Sequence, residues 1–192
     1  MDINDTPRAR LAQYVRDHAV IRGDVVLASG KVSDHYVDMR RVTLHHAAAP
    51  LVGHVMLDLL EEQGMGPAEI DAVGGLTMGA DPVATAILHA AASRGLAIDA
   101  FVVRKEHKAH GLQRQVEGPE VAGRKVVAVE DTSTTGGSLL TAITALRAAG
   151  AEVVGAAVVV DRDTGAKERI ESEGIRYIAA LQKTDLGLGD AR

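Results

Sequence analysis

The chain contains no cysteine, no tryptophan and a single phenylalanine. No apolar run approaches the ~20 residues that a membrane-spanning helix needs. The missing cysteine excludes disulfides, thiol nucleophiles and thiolate metal sites. Aromatic residues make up 2% of the sequence, too few for the stacking platforms that bind single-stranded nucleic acid. A net charge of −5 gives no basic excess to attract a phosphate backbone, so neither nucleic acid nor a membrane is expected as a partner. The eight histidines show no H-E-x-x-H or comparable metal spacing. Neither G-K-[ST] nor G-x-G-x-x-G occurs, so this is no Walker or dinucleotide-binding loop. The first residues, M-D-I-N-D-T-P-R-A-R, lack an apolar signal core, and a cytoplasmic location is expected.

The 192 residues that remain to be explained are 46% hydrophobic, enough for one domain with a sizeable core. Thr6-Pro7 reads as a helix start, and Leu11, Tyr14, Val15 and His18 share a helical face. Short strands are expected at 25–27 and 36–39, around a polar turn, and a helix at 46–63. From Ile70 onward, short unbroken apolar runs alternate with helical stretches. Strands are predicted at 72–76, 98–103, 126–129, 153–160 and 176–181, with helices at 80–94, 138–149 and 166–173. Apolar runs without alternation suit strands buried on both faces. The expected fold is therefore α/β, a parallel sheet flanked by helices, with ligands beyond the carboxyl ends of the strands. Residues 106–124 break this rhythm: they are polar, charged and long for a connection, as a lid would be.

The most informative stretch is 126–138, V-V-A-V-E-D-T-S-T-T-G-G-S. An apolar strand ends in Glu130 and Asp131. Thr132, Ser133, Thr134, Thr135, Gly136, Gly137 and Ser138 then lead into a helix. Such a turn directs free N–H groups and the helix dipole at whatever occupies it, and phosphate is the best fit. An ordinary hydroxyl-capped loop would look similar, but two adjacent carboxylates at a strand end weigh toward function. Four further stretches are less decisive alone. R-K-E-H-K-A-H-G at 104–111 could cover a polyanion or be a solvated charge run. The loop G-G-L-T-M-G-A-D-P at 74–82 could meet a second anion or be a tight glycine turn. V-D-R-D at 160–163 could present Arg162 to a carboxylate or form a surface ion pair. The early turn at 28–40, A-S-G-K-V-S-D-H-Y-V-D-M-R, could equally be a hairpin.

Together these stretches resemble the type I phosphoribosyltransferases and, within them, the orotate phosphoribosyltransferase family. The superfamily's substrate motif, an apolar strand, two acids and T-T-G-x-S, is matched at 126–138. R-K-E-x-K-x-H-G at 104–111, S-G-x-x-S-x-x-Y-x-D-x-R at 29–40 and V-D-R at 160–162 point to the orotate enzymes. The resemblance implies transfer of a phosphoribosyl group from 5-phosphoribosyl 1-pyrophosphate to orotate. The products would be orotidine 5′-monophosphate and pyrophosphate, with Mg²⁺ carried mainly on substrate oxygens. It implies a hood at about 1–45, a core at about 46–192 and a lid at about 105–124. It also implies a homodimer whose lid reaches the neighbouring site.

Residue roles follow from the same resemblance. Thr132 to Ser138 would cradle the 5′-phosphate, and Glu130 and Asp131 would hold the ribose hydroxyls. Thr77, Met78 and Gly79, within 74–80, would meet the pyrophosphate. Lys105, Lys108 and His110 from the partner chain would cover it, with Arg104 from its own chain. Arg162 would pair with the orotate carboxylate, aided by the turn carrying Ser29 and Gly30. Two departures stand out: Ala28 where many relatives carry lysine, and no lysine within 74–82. The rivals are a purine or uracil transferase, a regulator on the same fold and a fused bifunctional enzyme. The lid and V-D-R argue against the first. The acidic chain lacks a nucleic-acid surface for the second. Its end, soon after the last strand, leads us to expect no attached decarboxylase.

Overall fold

The computed structural model describes residues 6–26, 32–105 and 114–189. Helix α1 (Pro7–Tyr14) starts as its sequence predicts, with the Thr6 hydroxyl accepting the Ala9 N–H at 3.1 Å. A wider helical turn (Val15–Ala19) leads into an antiparallel ribbon of β1 (Val20–Val26) and β2 (Val32–Val37). The ribbon begins earlier than the expected strands and ends before Met39, which instead caps the short helix α2 (Arg40–Thr43).

The rest of the described chain builds one six-stranded sheet. Its elements, in order, are α3 (Ala49–Glu62), β3 (Ala72–Leu76), α4 (Ala80–Ser93), β4 (Asp99–Val103), β5 (Val116–Glu117), β6 (Lys125–Ser133), α5 (Gly137–Ala148), β7 (Glu152–Asp161), α6 (Ala166–Glu171) and β8 (Arg176–Gln182). The strand order is β5-β4-β3-β6-β7-β8, parallel except for the edge strand β5. The expected α/β architecture is therefore present. Strand β5 is an addition that two residues of ordinary polarity, inside a charged stretch, did not signal. Strand β6 runs to Ser133 rather than stopping at Val129. Glu130, Thr132 and Ser133 pair in register with Val158, Val160 and Asp161 of β7, and backbone pairing carries the strand past its apolar run.

Both faces of the sheet are covered. In β6, Val127 and Val129 pack toward α3 and α4, while Val126 and Ala128 pack toward α5 and α6. Leu57, Leu60 and Ile87 are fully buried on the first face, and Leu139, Ile143 and Ile170 on the second. Truncating one of these leucines or isoleucines to alanine costs about 2–5 kcal/mol. Glycine sets two close approaches. A Cβ at Gly53 would collide with the Ala86 carbonyl, so α3 lies tight on α4. A Cβ at Gly74 would strike Phe101, whose buried ring lies against β3 from the adjacent β4. Among the described residues, no helix is long and apolar enough to cross a membrane.

From β3 the chain crosses to β4 on one side; from β6 it proceeds to β7 and β8 on the other. The connections therefore diverge between β3 and β6. Their carboxyl ends frame a crevice where open α/β sheets bind ligands.

Candidate active site

A cleft of ≈290 Å³ sits at this divergence. Its floor is the end of β6, where Glu130 and Asp131 are 6% and 8% exposed. The Asp131 N–H donates to Glu130 Oε1 at 3.1 Å, and the Thr132 N–H donates to Asp131 Oδ1 at 2.6 Å. Burial raises the pKa of both carboxyls. Glu130 is pushed up to about 8, first by desolvation and then by the Asp131 charge. Asp131 shifts in the same direction, against its bond from Thr132 and the nearby Arg40. Two buried carboxyls this close favour keeping a proton between them over both being ionised.

The turn after β6 leads into α5 through Gly136, whose φ of 72° is left-handed and favours glycine. Thr134, Thr135 and Ser138 are exposed, and Thr132 and Ser138 line the cleft. The Thr135 carbonyl accepts from Arg169 Nη1 at 3.0 Å, tying the turn to α6. No α5 side chain caps the N–H groups at the helix start, which leaves them for an anion. Ser133 differs from its neighbours. Its hydroxyl is buried and faces the Tyr177 side of the sheet.

Across the cleft stand Thr77, Met78 and Gly79, between β3 and α4. The Thr77–Met78 peptide is cis. Thr77 is fixed by its N–H to the Val103 carbonyl at 2.8 Å and by its hydroxyl to Asp81 Oδ2 at 2.8 Å. Gly79 touches the acids so closely that a Cβ would collide with Glu130 Oε1 and sit 2.8 Å from Asp131 Oδ1. Lys105, just after β4, lines the cleft. Arg104 turns away, 3.8 Å from Glu117 of β5. Arg162 is half-buried at the end of β7 near Tyr36, and burial lowers its pKa. Ser29, Gly30, Lys108 and His110 lie outside the described residues.

The β2–α2 junction supplies three lining residues that had no individual role in the sequence reading: Tyr36, Asp38 and Arg40. Arg40 Nε donates to Asp38 Oδ1 at 2.9 Å. Their signal was the Y-x-D-x-R spacing, which here spans the end of β2 and the start of α2.

Residues 40–176 match the profile of the phosphoribosyl transferase domain. An orotate phosphoribosyltransferase from Streptomyces avermitilis is 61% identical over 96% of this chain and 99% of its own length. The chain belongs to the orotate phosphoribosyltransferase family. Two solved structures of the family member from Mycobacterium tuberculosis are similar throughout. One, in complex with Fe(III) dicitrate, has a TM-score of 0.85 and 56% identity and covers 95% of this chain and 100% of its own. The other, in complex with 5-phospho-α-D-ribosyl 1-diphosphate, has a TM-score of 0.81 and 52% identity over the same shares. In this chain the 132–138 turn and the Thr77–Gly79 loop stand on either side of the acid pair.

Proposed function

We propose that this protein transfers the phosphoribosyl group of 5-phosphoribosyl 1-pyrophosphate to orotate, releasing orotidine 5′-monophosphate and pyrophosphate in pyrimidine synthesis. The carrying observation is the meeting of Glu130 and Asp131, the 132–138 turn, the Thr77–Gly79 loop and Lys105 around one cleft at the strand divergence.

The C1–O bond to pyrophosphate breaks, a bond from C1 to the orotate ring nitrogen forms, and the proton of that nitrogen is released to the leaving pyrophosphate or to water. The bond electrons leave with pyrophosphate, and positive charge gathers on the ribose. No protein nucleophile is required, so catalysis rests on placement and charge stabilisation. The amides and hydroxyls of Thr132, Thr134, Thr135, Gly136, Gly137 and Ser138 hold the 5′-phosphate. Glu130 and Asp131 hold the ribose hydroxyls, and the negative charge that the pair carries favours the cationic ribose. The loop at Thr77 to Gly79 receives the pyrophosphate. Lys105 neutralises it, joined by Lys108 and His110 of the lid at about 105–124. Arg162 pairs with the orotate carboxylate near the Ser29–Gly30 turn, and Arg104 supports the lid's base.

The acid pair also suits Mg²⁺. Two desolvated carboxylates, both with raised pKa, are relieved by a cation or its water shell. The remaining places around such a cation would be filled by substrate oxygens and water. The metal would supply charge neutralisation on the leaving pyrophosphate.

We read the α1–β1–β2 region, about 1–45, as a hood over a core of about 46–192. A homodimer fits one further feature. Beside the cleft runs an apolar groove of ≈830 Å³ between α2, α3 and α4, sharing Arg40, Met78 and Asp81 with the site's surroundings. Leu44 and Met78 on its rim are 71% and 63% exposed. A second copy seated there would cover both and bring its lid within reach of this cleft. Leu44→Glu is expected to shift the protein toward monomer in analytical ultracentrifugation; an unchanged dimer would remove this groove as the interface. The absence of cysteine agrees with a cytoplasmic enzyme.

The deciding experiment mixes the protein with 5-phosphoribosyl 1-pyrophosphate, Mg²⁺ and one base at a time. Orotate absorbance should fall, with no turnover of hypoxanthine, adenine or uracil. Turnover of any of those three without orotate would refute the assignment.

A further inference from the structure

The V-D-R stretch ends in an arginine with an evident role, preceded by an aspartate with none. Asp161 is 5% exposed at the end of a strand whose preceding residues, Ala156 to Val160, are buried and apolar. A carboxylate in such a place is costly unless it is hydrogen-bonded. Its Oδ1 accepts the Asp163 N–H at 2.9 Å. Asp163 has a φ of 51°, and it is the one non-glycine in the left-handed region among the described residues. That conformation is unfavourable for a side-chain-bearing residue and needs a local bond to hold it. Between the two lies Arg162, whose own N–H donates to the Ser133 carbonyl at 3.0 Å. The backbone carrying the arginine is therefore tied on one side to β6 and on the other to the Asp161 side chain.

Tyr177 completes the arrangement from β8. It is 6% exposed, and its hydroxyl lies beside the Ser133 hydroxyl and the Asp161 carboxylate without a full hydrogen bond to either. Burial, reinforced by the Asp161 charge, raises the phenol pKa far above its usual range, so Tyr177 stays a donor. A cavity of ≈570 Å³ adjoins Asp161, Asp163 and Tyr177, so close packing alone does not hold these side chains.

We propose that Asp161 and Tyr177 are positioning residues for Arg162: Asp161 fixes the left-handed turn that sets the arginine's direction, and the neighbouring Tyr177 hydroxyl limits where the Asp161 carboxylate can swing. The inference rests on reading Arg162 as the partner of the orotate carboxylate. Loss of either residue loosens the grip on the base and leaves the phosphoribosyl donor's turn in place.

Arg162→Ala, Asp161→Ala, Asp161→Asn and Tyr177→Phe are compared with wild type for KM of each substrate, kcat and melting temperature. Arg162→Ala should raise the KM for orotate by at least about tenfold. Asp161→Ala should raise it about tenfold and Tyr177→Phe by a smaller factor, with the KM for the phosphoribosyl donor unchanged in both. Asp161→Asn keeps an oxygen for the Asp163 N–H and should recover most of the loss. If Asp161→Ala proves too unstable to assay, Tyr177→Phe and Asp161→Asn carry the comparison. Equal rises in both KM values, or none, overturn the proposal when Arg162→Ala behaves as expected. An Arg162→Ala enzyme with normal orotate KM overturns the reading of the base site itself, and this inference with it.

Discussion

The turn between β6 and α5 and the turn between β3 and α4 face the same cleft but are built differently. The first is rich in hydroxyls, enters its helix through a left-handed glycine and follows two buried acids. The second has no cationic side chain, and its helix-capping residue, Gly79, makes no side-chain bond. One turn offers chemistry and the other offers shape. Gly79 leaves only a hydrogen where the loop meets Glu130 and Asp131, so the loop can sit directly over the acids. The cationic side chains at the cleft come instead from outside both turns, Lys105 after β4 and Arg40 after β2.

The largest effect should come from spoiling that shape. Gly79→Ala places a methyl group against Glu130 and is expected to lower kcat/KM for the phosphoribosyl donor roughly 100-fold. A loss below fivefold in steady-state kinetics would mean that the loop does not need this contact. The outside charge comes next. Lys105→Ala should lower kcat by about tenfold or more. Rates within twofold of wild type would show that the missing loop lysine is replaced elsewhere.

The acid pair gives the smallest and most specific signal. Burial pushes the pKa of Glu130 up to about 8, well above the ordinary carboxylate range. Its stabilising contribution is therefore full below the unfolded value and lost as pH rises through about 8. Glu130→Gln should melt higher than wild type near pH 9 and lose that advantage near pH 5. Parallel melting curves at the two pH values would contradict the burial argument. The ionised pair binds a cation and ribose hydroxyls better, so the wild-type KM for the phosphoribosyl donor should fall a few-fold between pH 7 and 9, with a flatter profile in Glu130→Gln.

Much of this was legible in the sequence because local signals and tertiary packing agreed. Helices α4 and α5 begin and end within a residue of expectation, since their apolar spacing matches the face that the sheet needs covered. The acids and the hydroxyl turn stand out because nothing in a buried strand calls for them. The reading faltered where partners come from far along the chain. Strand β6 outlasts its apolar run because β7 pairs with it, and β5 exists only because β4 offers an open edge. Ser133 belongs by sequence to the phosphate turn, yet its side chain faces Tyr177, 44 positions later in the chain. The roles of Tyr36, Asp38 and Arg40 likewise depend on a ribbon that folds back over the sheet.

The contact between Gly74 and Phe101 has a practical consequence. Phe101 is the chain's one phenylalanine, and its ring lies against β3, the strand that leads into the Thr77–Gly79 loop. Biosynthetic labelling with fluorinated phenylalanine would therefore give a single ¹⁹F resonance, a built-in reporter placed just beneath the loop, outside the substrate pocket and free of any need for mutation.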